Sequence, residues 1–265
     1  MDDRIGDTLV LVGGTSGRYL DTRRPAPLME EQTDTKVRWT SSGRWPMVKT
    51  RAAPIPFAGS QLGDVRHVCA FFSSADEEYR VLLPFIRDGF ARGDKAVHVV
   101  KPDEREDHLR RLVAAGIDTD AAERRGQFEL RSNTETYLRD GRFDQDRMLA
   151  AFEQMASGNA RGGYPLSRIV CHMDWAADDR SHLDTLVEFE ARVNDIWSRH
   201  DDAVICVYDL SQFGGDMVID MMRTHPMVIV GGILQQNPFY VPPEQFLRER
   251  RQQHATMGTA SSAAV

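Results

Sequence analysis

From residue 65 onward, short apolar runs alternate with longer segments in which apolar side chains recur every three or four positions. The first stretch, residues 65–100, reads as strand, tight turn, helix and second strand. Such a βαβ unit places its strand-to-helix turn at the carboxyl edge of a parallel sheet, where open α/β folds bind their ligands. Pro102 and Asp103 then open a helix carrying the acid-before-base pairs Glu106/Arg110 and Asp107/Arg111, closed at Gly116. Residues 127–131 predict a short strand. Residues 144–157 predict a helix with Met148, Leu149, Phe152 and Met155 on one stripe, and 167–173 a buried strand. Ser181 caps a helix bearing Leu183, Leu186, Val187, Phe189, Val193 and Trp197. Residues 203–208 predict an apolar strand, 216–223 a short helix and 227–230 a final strand. Strands alternating with helices predict an α/β fold of three layers, a mostly parallel central sheet with helices on both faces.

Residues 1–64 break this rhythm. Proline pairs and Ser/Thr/Gly/Arg clusters surround one apolar run, so the stretch reads as a poorly ordered N-terminal extension. The run LVLVGGTSGR at 9–18 resembles the first strand and glycine turn of a short-chain dehydrogenase. Neither an amphipathic helix nor a second strand with an acidic ribose ligand follows, so no dinucleotide site is expected. The division expected is 1–64 extension, 65–247 domain and 248–265 polar tail.

Composition narrows the function. The 265 residues are 41% hydrophobic and 28% charged, which suits one good-sized globular domain with an appendage. A net charge of -7 offers no footprint for nucleic acid or an anionic membrane. No run is long and apolar enough to span a bilayer, the start is acidic, and Cys69, Cys171 and Cys206 lie far apart. These features predict a cytoplasmic protein with reduced thiols.

The chemistry-bearing residues gather at predicted strand ends. Between Phe71 and Tyr79 there is neither glycine nor lysine, so the turn cannot cradle a phosphate as a Gly-x-x-x-x-Gly-Lys loop does. Ser74-Ala75-Asp76-Glu77 fits a capping box, and Asp76, Glu77 and Glu78 fill the helix start with acid, which also repels phosphate. Pro84 inside that helix is either a tolerated irregularity or a kink that widens a pocket. Asp174 follows an apolar strand and either caps its turn or bonds a polar ligand. Trp175 lines a cleft or packs in the core. Cys69, Cys171 and Cys206, with His67, His98 and His172, lie on strands and raise the question of a soft metal. Their spacing matches no ligand motif, so packing is the stronger reading and neither metal nor cofactor is expected. Tyr208 and Asp209 end a strand, and His225 before Pro226 reads as a hydrogen-bonding corner or a ligand contact. Gly231 and Gly232 permit close backbone approach, and 237–243 is a stiff aromatic segment that wraps the sheet edge.

Several ordered blocks carry a resemblance. HVCAFF at 67–72 before an acidic turn, GQFEL at 126–130, ETYLRDGRF at 135–143, MDWA at 173–176, FEARVN at 189–194, VYD at 207–209, RTHP at 223–226 and NPFYVPP at 237–243 together resemble the MEDS domain, a DcmR-type sensory domain of methanogens and methylotrophs. The resemblance implies a degenerate relative of RecA/KaiC-like ATPases, a P-loop-NTPase-like frame without its phosphate loop, that senses small hydrocarbon derivatives. It implies no catalytic residues. The expected binding set at the sheet's carboxyl edge is Phe72, Ser73, Met173, Asp174, Trp175, Tyr208, Asp209 and His225, around a small, largely apolar ligand. The expected partner is a kinase, an anti-sigma factor or a transcription regulator, with self-association also open and no direct nucleic-acid or membrane contact. An ATPase-like enzyme with a non-standard phosphate site and a non-catalytic interaction scaffold stay as alternatives.

Overall fold

The computed structural model describes residues 53–262. Residues 1–52, including the glycine turn at 9–18, lie outside the described residues. A short antiparallel hairpin, β1 (Ile55–Phe57) and β2 (Ser60–Leu62), comes first. It precedes the boundary expected at residue 65, yet Ile55, Phe57 and Leu62 are buried in the domain core, with Phe57 stacked on Phe85. The main sheet is built from β3 (His67–Phe72), β4 (Lys95–Val100), β5 (Phe128–Ser132), β6 (Ser167–His172), β7 (Ala203–Asp209), β8 (Met227–Val230) and β9 (Ile233–Gln236). Their order across the sheet is β5-β4-β6-β7-β3-β8-β9, all parallel except the β8–β9 pair. Helices cover both faces, so the layered, mostly parallel architecture is as predicted.

The predicted strands all form, and β9 is an addition. Gly231 and Gly232 both take positive φ, +59° and +76°, and join Val230 to Ile233 as a two-residue hairpin loop. Two residues at positive φ are what a type I′ turn requires, and glycine meets that without strain. These glycines therefore make a turn. The stiff segment beyond β9 is anchored by Asn237, whose side-chain amide donates to the carbonyls of Met222 and His225.

Alternation along the strands divides the core in two. Cys69, Phe71, Val97, Val99, Ile169, Cys171, Val204, Cys206 and Tyr208 face α5 (Gln145–Arg161) and α7 (Leu183–Trp197). Val68, Ala70, Phe72, Ala96, Val170, Ile205 and Val207 face α1 (Ala75–Arg92), α2 (Arg105–Ala114), α3 (Thr119–Arg124) and the β1–β2 hairpin. A period of two against two covered faces leaves no solvent side, which is why β3, β4 and β6 are buried at every position.

Helix ends follow the local signals with two differences. Ser74 caps α1 by accepting from the Glu77 amide at 3.3 Å, while the Glu77 carboxylate accepts from Ser73, one residue further out than the standard box, at 2.9 Å. The helix runs continuously through Pro84. Ser181 donates its amide to Asp179, and α7 starts after His182 instead. α8 (Gly215–Thr224) precedes β8, and α9 (Pro243–Ser262) runs into the expected polar tail, tied back by Arg250 to Asp184 and Asp220.

One buried cation staples the amino end of the sheet. Arg168 on β6 is 2% exposed, bonds Asp94 at 2.8 Å, Asp88 at 2.5 Å and the Phe85 carbonyl at 2.5 Å, and lies over the Phe85 ring. Burial pushes the Asp94 carboxyl up, and Arg168 opposes that rise. Gly89 leaves the room: a Cβ there would stand 2.6 Å from Arg168. Replacing Arg168 with Met strands a buried carboxylate, so urea denaturation is expected to show a loss of about 3–5 kcal/mol.

Candidate functional site

The carboxyl ends of β3, β6 and β7 and the start of α1 enclose a pocket of about 120 Å³. Phe72 and Val207 supply its apolar surface. Ala75 and the Tyr79 ring add to that surface, the remaining lining is polar, and five carboxylates contribute: Glu78, Glu104, Asp107, Asp174 and Asp209. Glu78 reaches the pocket because it sits in the acidic first turn of α1. Glu104 reaches it from the single 3-10 turn that precedes α2.

His172 is the pocket's cation. It ends β6, is 5% exposed, and lies with Nε2 3.2 Å from Glu78 Oε1 and Nδ1 3.4 Å from Glu104 Oε2. Burial disfavours its charge, but the two carboxylates prevail and hold the imidazolium up to about 10. The same contact holds Glu104 below its ordinary range. Beside it runs a chain of neutral imidazoles. Tyr79 Oη lies 2.6 Å from His108 Nδ1, and His108 Nε2 lies 2.9 Å from His98 Nδ1. Burial and the neighbouring His172 cation push His98 down to about 3.

Asp174 joins two strand ends. Its Oδ1 accepts from the Asp209 amide at 2.9 Å, tying the end of β6 to the end of β7. Burial raises its carboxyl to about 6 against the pull of that hydrogen bond and of His172. Asp209 in turn accepts from the Ser211 amide at 2.8 Å and from Gln212 at 3.1 Å, which shapes the β7–α8 loop.

The expected binding residues do not all meet. Phe72, Asp174 and Asp209 line the pocket. Ser73 is exposed, with its amide bonded to Glu77. Met173 is fully buried on the α5/α7 side, and Trp175 stacks on Tyr137 there, with ring centroids 5.1 Å apart. Tyr208 faces the same side and donates to Glu190 at 3.1 Å, and His225 stands 3.4 Å from the same carboxylate. Strand parity separates them: His172, Val207 and Asp209 point to one face, Tyr208 to the other. Sequence reasoning missed Glu78, Glu104 and Tyr79 as pocket residues and took His172 only as a metal candidate. The available signal was an ionisable side chain at the carboxyl end of an otherwise apolar strand. Pro84 borders a separate groove of about 680 Å³ between α1 and the α2–α3 turn, away from this pocket.

The three cysteines align across adjacent strands, Cys171 opposite Cys206 and Cys206 opposite Cys69. Burial raises all three thiols, Cys171 to about 12, so they are not reactive thiolates.

Residues 66–226, more than half of the chain, match the family described as MEDS, MEthanogen/methylotroph, DcmR Sensory domain. No curated protein matches. Among solved structures, the chain is similar to a KaiC-like protein from the hyperthermophilic archaeon Pyrococcus horikoshii OT3. The identity is 13% and the TM-score 0.45, over 66% of this chain and 72% of that one.

The His172 cluster makes stability depend on pH. Its folded pKa of about 10 lies above the unfolded value near 6.5, so its contribution is complete below about pH 6.5 and is lost as pH rises through about 10. Melting temperature is expected to fall between about pH 7 and pH 10, and His172→Gln to flatten that slope, in parallel thermal scans.

Proposed function

The chain belongs to the MEDS family of sensory domains, and on that premise we propose that its carboxyl-edge pocket binds a small polar hydrocarbon derivative, such as a short alcohol or amine, and reports its presence to a protein partner. The observation that carries this reading is the pocket lining itself: Phe72, Ala75 and Val207 beside five carboxylates around a buried imidazolium. A volume of about 120 Å³ is the share of about four water molecules, room for a one- to three-carbon molecule. An ammonium or hydroxyl head donates to the acidic wall while the alkyl stub lies on Phe72 and Val207. A nucleotide phosphate meets the opposite conditions, since the turn after β3 offers no glycine amides, no lysine and a helix start filled with acid. We therefore assign the domain binding without catalysis.

Asp174 is the element through which occupancy acts. Its Oδ1 holds the Asp209 amide, and Asp209 holds the β7–α8 loop through Ser211 and Gln212. A ligand that bonds Asp174 competes for this anchor and biases the loop, which carries the exposed Leu210. The receiver of that change is a kinase, an anti-sigma factor or a transcription regulator. No helix among the described residues is long and apolar enough to cross a membrane, and three buried free thiols suit a reducing compartment. We place its action in the cytoplasm.

Thermal shift on the full chain tests the reading, with 1-propanol, methylamine, dichloromethane and magnesium ATP as probes. The alcohol or the amine is expected to raise the melting temperature in a saturable way, and Asp174→Asn to weaken that response at least about tenfold by removing the acceptor charge. A rise with magnesium ATP alone, or one that Asp174→Asn leaves unchanged, sinks the proposal.

A further inference from the structure

Across the sheet from the pocket, four ligand-type side chains from four separate places in the fold converge. His67 opens β3, Glu190 lies on α7, Cys206 is in β7, and His225 stands between α8 and β8. All four are buried, and their ligand atoms lie within 4.8 Å of one another. Glu190 Oε2 is 3.4 Å from His67 Nε2 and 3.4 Å from His225 Nε2. Cys206 Sγ is 3.5 Å from His67 Nε2 and 3.8 Å from Glu190 Oε2. A tetrahedral zinc ion, with bonds of ~2.0–2.1 Å to nitrogen or oxygen and ~2.3 Å to sulfur, spaces its ligand atoms by roughly 3.3–3.6 Å.

The surrounding hydrogen bonds aim both imidazoles inward. Asn194 Nδ2 donates to the carbonyls of Glu190, Ala191 and Thr224, which fixes the amide so that Oδ1 faces His67 Nδ1 at 3.0 Å. An amide oxygen only accepts, so His67 Nδ1 carries the proton. His225 Nδ1 lies 2.8 Å from the Met221 carbonyl and donates for the same reason. Each ring is thus left with Nε2 toward the cluster, the arrangement by which an outer hydrogen bond orients a metal-binding histidine. Tyr208 Oη donates to Glu190 Oε1 and leaves Oε2 for the centre.

Without a cation this grouping is hard to satisfy. Two neutral Nε2 atoms and a carboxylate oxygen are acceptors that share one weak donor, the Cys206 thiol beside His67 and Glu190, and His225 Nε2 has no hydrogen-bond partner. Protonating both rings would place two cations with centroids 4.2 Å apart in a dry core beside one carboxylate. We propose that His67, Glu190, Cys206 and His225 bind one divalent transition-metal ion of the zinc class as a structural site. The two histidines enter neutral and Glu190 ionised. The Cys206 S–H bond breaks as the sulfur–metal bond forms, and its proton leaves to solvent, so the ligand charges balance the ion. A cleft of about 200 Å³ that includes His67, Asn194 and Trp197 in its lining reaches the cluster from the amino edge of the sheet.

Elemental analysis of the tag-free full chain is expected to find about one zinc per chain, and chelation to lower the melting temperature. Cobalt(II) added to the stripped chain is expected to give the strong visible bands of a tetrahedral site together with a near-ultraviolet sulfur-to-metal band. In Cys206→Ser the sulfur band should vanish, with affinity reduced about 10- to 1000-fold, whereas Asp174→Asn should leave metal content unchanged. If Cys206→Ser does not fold, the wild-type cobalt spectrum decides alone. Visible bands without a sulfur band, or a substoichiometric trace of metal with a melting temperature indifferent to zinc and chelator, overturn the proposal.

Discussion

Each inner strand of the sheet is covered on both faces, so a side chain's parity along its strand decides which half of the molecule it serves. The rest of the structure depends on this constraint. Along β3, Phe72 goes to the pocket side while Cys69 and Phe71 go to the other. Across the sheet, parallel register carries the division from strand to strand: His172 stands opposite Val207, and Cys171 opposite Cys206. Two sites of different character can therefore occupy one sheet without sharing a side chain.

Ionisable groups lie where water is scarce at both sites and at the amino end of the sheet, and each burial needs its own compensation. Arg168 meets Asp94, Asp88 and a carbonyl. His172 meets Glu78 and Glu104, and its charge survives because two carboxylates outweigh the cost of desolvation. Glu190 is fully buried on a helix whose other buried residues, Asn194 apart, are apolar, Leu186, Val187 and Val193 among them. A carboxylate in that setting is stable only with positive charge or strong donors around it, which is the role of the Tyr208 hydroxyl and of the proposed cation that His67, Cys206 and His225 would hold beside it.

Much of the architecture was legible from pattern. Apolar runs marked each strand of the parallel sheet, Asp144 and Ser74 marked helix starts, and the ordered blocks matched a family over most of the domain. The differences lie where local signals are ambiguous. Ser181 is a good capping residue, yet Asp179 engages its amide and the helix begins two residues later. Gly231 and Gly232 followed an apolar strand, and their turn type was set by the antiparallel partner β9, whose only buried residue is Leu234. The β1–β2 hairpin is too short to show alternation and is held by packing of Ile55, Phe57 and Leu62.

The amino-acid sequence by itself determined the alternation of strands and helices, the lack of glycine and lysine in the turn after β3 and the acid at the start of α1, because these are properties of neighbouring residues. Which strand ends meet, and on which face, is decided by register between segments far apart in the chain. Asp174 and Asp209 share the pocket with Glu78 and Glu104 only once β3, β6 and β7 lie side by side. His67, Glu190, Cys206 and His225 have no spacing that marks a ligand set, since each comes from a different part of the chain. Their convergence is a product of tertiary packing, which brings a helix face, two strands and a turn to one point in the core.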